Sequence, residues 1–122
     1  MFRKLLPILL CCINLAHAES RPWTDDERAW GIAFTAAALA DWSSTRYAAR
    51  HGWPDNLKES NILLGKYPSV SNVDRHFAIG IPLAFLLLDH ADENRKTGLI
   101  ILTAMELSVS NRNAQLGLRF RF

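Results

Sequence analysis

The sequence predicts an all-α protein, a small bundle of three transmembrane helices that follows a cleavable signal peptide. Hydrophobic residues make up 49% of the 122 residues and charged residues 21%, a balance between those of soluble and membrane proteins. Three apolar stretches in the mature chain are each bounded by helix start and stop signals. The length allows one domain, and a net charge of +2 excludes the strongly basic surface that a nucleic-acid partner needs.

Residues 1–18 are typical of a signal peptide, which leaves residues 19–122 as the mature domain. Arg3 and Lys4 form the charged start, an apolar run follows, and A-H-A at residues 16–18 forms the cleavage site. The apolar run is shorter than the ~20 residues that cross a bilayer, so we expect cleavage; a retained signal anchor is the alternative. Both cysteines lie inside this run, so the mature chain has no thiol for a disulfide or a metal.

The first predicted helix begins near Thr24 and continues to Arg50. Thr24 is a good N-cap, three acidic residues follow it, and Gly52 with Pro54 ends the helix. Short side chains recur every four residues and form a ridge that lets a neighbouring helix approach closely. This ridge consists of Ala33, Ala37, Asp41 and Thr45.

The second predicted helix begins at a capping box of Ser71 and Asp74 and continues to about Ala91, with a kink at Pro82. Within it, a small-xxx-small pair offers a further close helix contact. A charged turn separates it from a third helix at about Thr97–Asn113, whose polar residues share one face. The small pair is Gly80 and Ala84, and the polar stripe is Thr103, Glu106, Ser110 and Asn113.

Charge and hydropathy favour a membrane bundle over the alternative, a soluble periplasmic bundle. Residues 77–88 have no polar face, which is unusual for a helix of a small soluble domain, although apolar cores of about 12 residues are short for a membrane span. With the mature N-terminus outside, the cytoplasmic segments hold eight Lys and Arg and the periplasmic segments four. The prediction is therefore a bacterial inner-membrane protein with a periplasmic N-terminus and a cytoplasmic C-terminus. Its partners are the lipid bilayer and possible further copies or another membrane protein.

Asp41 and Glu106 are predicted to meet inside the bundle. At ~1.5 Å per residue, Asp41 lies about 16 Å beyond Trp30 and Glu106 about 15 Å beyond Lys96, both near the middle of a ~30 Å hydrocarbon layer. Helices one and three are parallel in this topology. Four roles stay open for the two acids: they share a proton, they pair with Arg46, they hold a cation, or they merely join the helices through hydrogen bonds.

No spacing typical of a metal, nucleophile or nucleotide site occurs. The mature chain's histidines at positions 51, 76 and 90 are scattered and show no H-x-x-x-H spacing, so we expect no metal and no cofactor. Two other functions stay open. One is an enzyme at the membrane surface with Asp41 or Glu106 as general base. The other is a holin-like lysis protein, suggested by the small size, the three candidate spans and the basic tail Arg112–Phe122.

The segments D-W-S-S-T-R (41–46) and E-S-N-I-L-L-G-K-Y-P-S (59–69), with Glu106 and Asn111 later, resemble a group of small helical membrane proteins of proteobacteria and their phages. The group's pattern is roughly D-x-x-x-T-R followed by E-x-N-P-x-L-G-x-x-P-S, and Ile62 stands where that pattern has proline. The resemblance implies a helical membrane protein, no particular activity, and a role for Gly65 beside the polar residues. The predicted polar-core and binding residues are Asp41, Thr45, Arg46, Glu59, Asn61, Glu106 and Asn111.

Overall fold

The computed structural model describes residues 20–53 and 63–118, which form three α-helices and one short 3-10 helix. No strand occurs within these two stretches, so the predicted all-α three-helix bundle is confirmed. The predicted signal peptide, residues 1–18, lies outside the described residues. The helices are α1 (Asp25–His51), α2 (Val70–Asp89) and α3 (Arg95–Gln115), with the 3-10 helix at Asp92–Asn94.

α1 begins where the sequence predicts because Thr24 forms a capping box. The Thr24 hydroxyl accepts a hydrogen bond from the Glu27 backbone N–H at 3.2 Å, and the Glu27 carboxylate accepts one from the Thr24 N–H at 2.9 Å. The helix ends at Gly52, whose φ of 87° lies in the region that favours glycine.

α2 begins two residues earlier than predicted, and the proposed capping box of Ser71 and Asp74 was wrong. The N-cap is Ser69, whose hydroxyl accepts from the Asn72 backbone N–H at 3.2 Å. Ser71 and Asp74 lie inside the helix, where the Asp74 carboxylate is free to contact α1. Pro82 lies inside α2, as the sequence predicts.

α1 and α3 run parallel along each other, and α2 packs mainly on α1. The parallel direction follows from two contacts at opposite ends of α3. Arg95, at its start, lies 3.4 Å from the Glu27 carboxylate near the start of α1. Asn113, near its end, donates to Ser44 in the second half of α1 at 2.8 Å. The parallel arrangement expected for helices one and three is therefore confirmed.

An apolar core joins the three helices in the half of the bundle where α1 and α3 begin. Phe34 and Ala38 of α1, Leu88 of α2 and Leu99 of α3 are all buried in it, and Phe85 packs against them. Burying a side chain as large as leucine or phenylalanine contributes about 1.5–3 kcal/mol, so this cluster holds that half of the bundle together.

The rest of the bundle is partly inverted, with polar side chains inside and apolar ones outside. Among the described residues, nine polar or charged and nine apolar side chains are buried, whereas ordinary interiors are mainly apolar. Large apolar side chains are exposed in the middle of all three helices, and we call this surface the apolar belt. The apolar belt consists of Ile32, Leu39, Ile79, Leu83, Leu87, Ile100, Ile101, Met105 and Leu107.

Taken one at a time, none of the helices in the described residues combines the length and mean hydropathy required to cross a membrane. The transmembrane part of the predicted fold class is therefore not supported by single-helix hydropathy.

Candidate functional site

The candidate site lies between α1 and α3, where the carboxyl groups of Asp41 and Glu106 lie close enough to interact directly. Asp41 is 9% exposed, and Glu106 is half-buried. Two carboxylates in contact repel each other strongly when both are charged, so a pair of this kind holds one proton between its members. The structure thus brings together the two acids that their matched depth predicts to meet.

Neighbouring donors converge on Asp41 rather than on Glu106. Thr45, one turn further along α1, donates from Oγ1 to Asp41 Oδ1 at 2.9 Å. Asn113 Nδ2 lies 3.4 Å from the same oxygen and donates to Ser44 Oγ at 2.8 Å. Because donors favour the ionised form of the carboxylate that they contact, the shared proton of the pair lies on Glu106.

Three buried side-chain oxygens have no hydrogen-bond partner among the described residues. They are Glu106 Oε2, Ser43 Oγ and Ser110 Oγ. An unsatisfied buried polar atom costs about 1–3 kcal/mol, so such atoms in a folded interior indicate a place for water or another small polar species. Ser110 lies on the predicted polar stripe of α3, one turn from Glu106.

Arg46 does not join the acid pair, contrary to one of the pairings that the sequence suggests. Its Nε donates to Asp74 Oδ1 of α2 at 2.8 Å, and Trp42 Nε1 donates to the same oxygen at 2.8 Å. Five residues along an α-helix turn the side chain by about 140°, so Arg46 faces α2 whereas Asp41 faces α3. Arg46 and Asp74 therefore form an ion pair that joins α1 to α2.

The remaining predicted site residues fall outside this cluster. Asn111 is exposed on α3, and Asn113, two residues later and on the opposite side of the helix, makes the buried contact. Gly65 lies in the connection before α2 with a φ of 81°, a value that explains glycine there. Gly80 is not a close helix contact, because a Cβ built on it meets nothing within 4 Å. Glu59 and Asn61 lie outside the described residues.

A second charged cluster, which the sequence reasoning missed, closes the opposite end of the bundle. Arg95 is completely buried and donates to the carbonyl oxygens of Leu88 at 2.9 Å and Arg21 at 3.1 Å. Its guanidinium lies 4.8 Å from the centre of the Trp23 ring and 3.4 Å from the Glu27 carboxylate. A buried cation of this kind needs such partners. The sequence signal was an arginine directly after the acidic turn.

Two carboxylates of this second cluster are held in their charged forms. The Arg21 guanidinium, which donates to the Glu27 carboxylate, lowers the pKa of Glu27 to about 2. Hydrogen bonds from Trp23 Nε1 at 2.6 Å and Ser20 Oγ at 2.8 Å hold the pKa of Asp89 below its ordinary value. The segment before α1 is thereby attached to the turn between α2 and α3.

Fold and site together define a class of protein. It is a small three-helix bundle, in which α1 and α3 are parallel, with a carboxyl pair inside and the apolar belt outside. Comparison with family models, with curated proteins and with solved structures finds no match for this chain. Among the described residues, no three His, Cys, Asp or Glu side chains converge as a metal site would require.

Proposed function

We propose that this chain is a small integral inner-membrane protein whose buried carboxyl pair binds a proton, in a binding or regulatory role rather than an enzymatic one. The observation that carries the proposal is the inverted distribution of side chains. The acid pair lies inside the bundle, whereas the apolar belt lies outside on all three helices. Exposed apolar surface of this extent is typical of contact with lipid or with another protein.

The limits of the apolar belt support contact with lipid. Arg75 and Asp89 bound it on α2, about 21 Å apart at ~1.5 Å per residue, and Lys96 and Arg112 bound it on α3, about 24 Å apart. Between these limits α2 has no Asp, Glu, Lys or Arg, and α3 has only Glu106, which contacts Asp41. These heights approach the ~30 Å of a hydrocarbon layer. Buried polar side chains lower the mean hydropathy of α1 and α3 without facing lipid.

Charge at the two ends of the bundle supports the orientation. Arg50, Arg75 and Arg112 lie at the end where α1 and α3 finish and α2 begins. The other end carries most of the acidic residues, including Asp25 and Glu93. The positive-inside rule then favours a cytoplasmic C-terminus. The resemblance to small membrane proteins of proteobacteria and their phages supports the membrane assignment itself.

Membrane embedding is tested by fractionation of cells that express the whole chain. We expect the protein to stay in the membrane pellet after an alkaline wash. A charge placed in the belt by Ile101→Lys costs about 2.5–3.5 kcal/mol on an insertion scale, so the amount of inserted protein should fall. Asn111→Lys, on the same helix but outside the belt, is the matched control and should insert normally. Release of the wild type by the wash would overturn the proposal and favour a soluble periplasmic bundle.

Proton binding is tested by infrared spectroscopy of the purified protein in detergent. A shared proton gives the carbonyl band of a protonated carboxyl. The band should shift in Glu106→Gln and in Asp41→Asn, because each change alters the hydrogen-bond partner of the remaining acid, and it should disappear in the double variant, in which neither acid of the pair is left. A wild-type spectrum without the band would refute proton binding.

A separate expression experiment tests the holin-like alternative. If high expression collapses the membrane potential at a fixed time, that alternative is favoured.

A further inference from the structure

We propose that the proton of the Asp41–Glu106 pair enters and leaves past His76 and Gly80, through a passage that opens at the basic end of the bundle. This inference rests on the proposed proton binding and adds the route and the side chain that carries the proton. The sequence motifs assign no role to His76, and the close helix contact that they predict for Gly80 is absent from the structure.

A small cavity leads from the acid pair to His76. It has a volume of about 160 Å³ and lies between all three helices, with Phe34 of α1, Leu102 and Glu106 of α3, and His76 and Gly80 of α2 among its walls. Of the residues that line it, only His76 and Glu106 are polar. A water molecule occupies about 30 Å³ in the liquid, so the cavity has room for water bonded to these two groups.

A surface groove shares these two residues with the cavity. It has a volume of about 490 Å³ and is lined by His76 and Gly80 together with Arg75 and Asn72 of the first turns of α2. A Cβ built on Gly80 meets nothing within 4 Å, so the space beside this residue is open. His76 and Gly80 therefore line both the cavity and the groove, and the half-buried imidazole ring of His76 lies at the boundary that the two spaces share.

The chemistry of the ring suits this position. An imidazole binds a proton at one nitrogen and releases one from the other, which makes histidine a proton shuttle. A proton taken from water in the groove by His76 leaves from the second ring nitrogen, crosses the cavity on water and binds the carboxylate pair, and His76 returns to its neutral form. Among the described residues, two charged groups of the other helices act on the ring. Asp41 of α1 attracts it electrostatically, and Glu106 of α3 lines the same cavity.

The test measures how fast deuterium from D₂O replaces the proton of the pair, followed by the shift of its infrared band in the purified full-length protein. His76→Phe and Gly80→Leu should slow the exchange at least about tenfold, a barrier increase of ~1.4 kcal/mol. Gly80→Ala should exchange nearly as the wild type does, since one methyl group does not fill the gap. Ala36→Leu is the control, because Ala36 lines a different groove, on the side of α1 away from Asp41. This variant should exchange as the wild type does.

Chemical rescue separates proton transfer from packing. His76→Ala should exchange slowly, and added imidazole should restore a rate close to that of the wild type, which a purely structural histidine would not allow. Wild-type exchange rates in both His76→Phe and Gly80→Leu would overturn the inference, as would His76→Ala that does not respond to imidazole. A wild-type protein without the protonated-carboxyl band would instead refute the proposed function itself.

Discussion

Replacement of Asn113 by alanine is the sharpest test of the α1–α3 interface, because the family resemblance points to Asn111, whereas the predicted polar stripe of α3 and the structure point to Asn113. The Asn113 amide makes one well-formed hydrogen bond, to Ser44 Oγ at 2.8 Å, and two long contacts, to Asp41 Oδ1 at 3.4 Å and Thr45 Oγ1 at 3.5 Å. Asn113→Ala removes all three and leaves the partners buried.

The expected cost follows from these distances. A formed hydrogen bond contributes about 0.5–1.5 kcal/mol, and a buried partner left without its donor costs about 1–3 kcal/mol. Ser44 keeps its hydrogen bond to the Asp41 carbonyl at 3.1 Å, and Asp41 keeps the one from Thr45, so the cost stays within that range. We expect Asn113→Ala to lower the free energy of unfolding by about 1–3 kcal/mol. Asn111→Ala, at an exposed position, should change it by less than about 0.5 kcal/mol.

Denaturant unfolding in detergent, followed by helical circular dichroism, measures both variants. A Ser44→Ala and Asn113→Ala double-mutant cycle should give a coupling energy of at least about 0.5 kcal/mol, as expected for side chains in contact. If Asn111→Ala costs as much as Asn113→Ala, or if the cycle is additive, then α3 is rotated relative to α1 and the assignment of the site fails.

Three further outcomes are expected. Arg95→Leu should cost about 3–5 kcal/mol in unfolding experiments because it breaks a buried ion pair, whereas Lys96→Leu, at a half-exposed pair, should cost less than about 1 kcal/mol. The pKa of Glu27 is lowered on folding from 4.5 to about 2. Its contribution to stability is therefore complete above its ordinary pKa and is lost as the pH falls toward about 2. Glu27→Gln should weaken this acid sensitivity when the free energy of unfolding is measured as a function of pH. Arg46→Ala and Asp74→Ala should be non-additive by about 0.5–1 kcal/mol in a thermal or denaturant cycle.

Local signals in the sequence predict the helices well, because helix starts depend on a few neighbouring residues. Thr24 with Glu27 is a complete capping box, and the structure contains it. Ser69 and Ser71 are both possible caps, and the sequence does not distinguish them without knowing that Asp74 contacts α1. The choice between neighbouring caps is therefore made by tertiary contacts.

The acid pair was predictable from depth along the helices and from the faces on which the two acids lie, whereas the direction of Arg46 was not. Counting residues from the helix ends brings Asp41 and Glu106 to the same level. Whether Arg46 faces α2 or α3 depends on the helix phase relative to two neighbours, which the sequence does not specify. Arg95 was missed for the same reason, since its partners come from three separate segments of the chain.

The attachment of the segment before α1 to the α2–α3 turn has a consequence for the order of folding. Arg95 donates to the carbonyl oxygen of Arg21 across a separation of 74 residues, so these groups meet only after most of the chain has been synthesised. Contacts between distant parts of a chain form late, because a long loop must close first. α2 and α3 are joined by a short turn, so their ends beside it, where Leu88 and Leu99 belong to one buried cluster, are able to meet early. The segment before α1 is then the last part to be fixed, and its attachment marks the completed bundle.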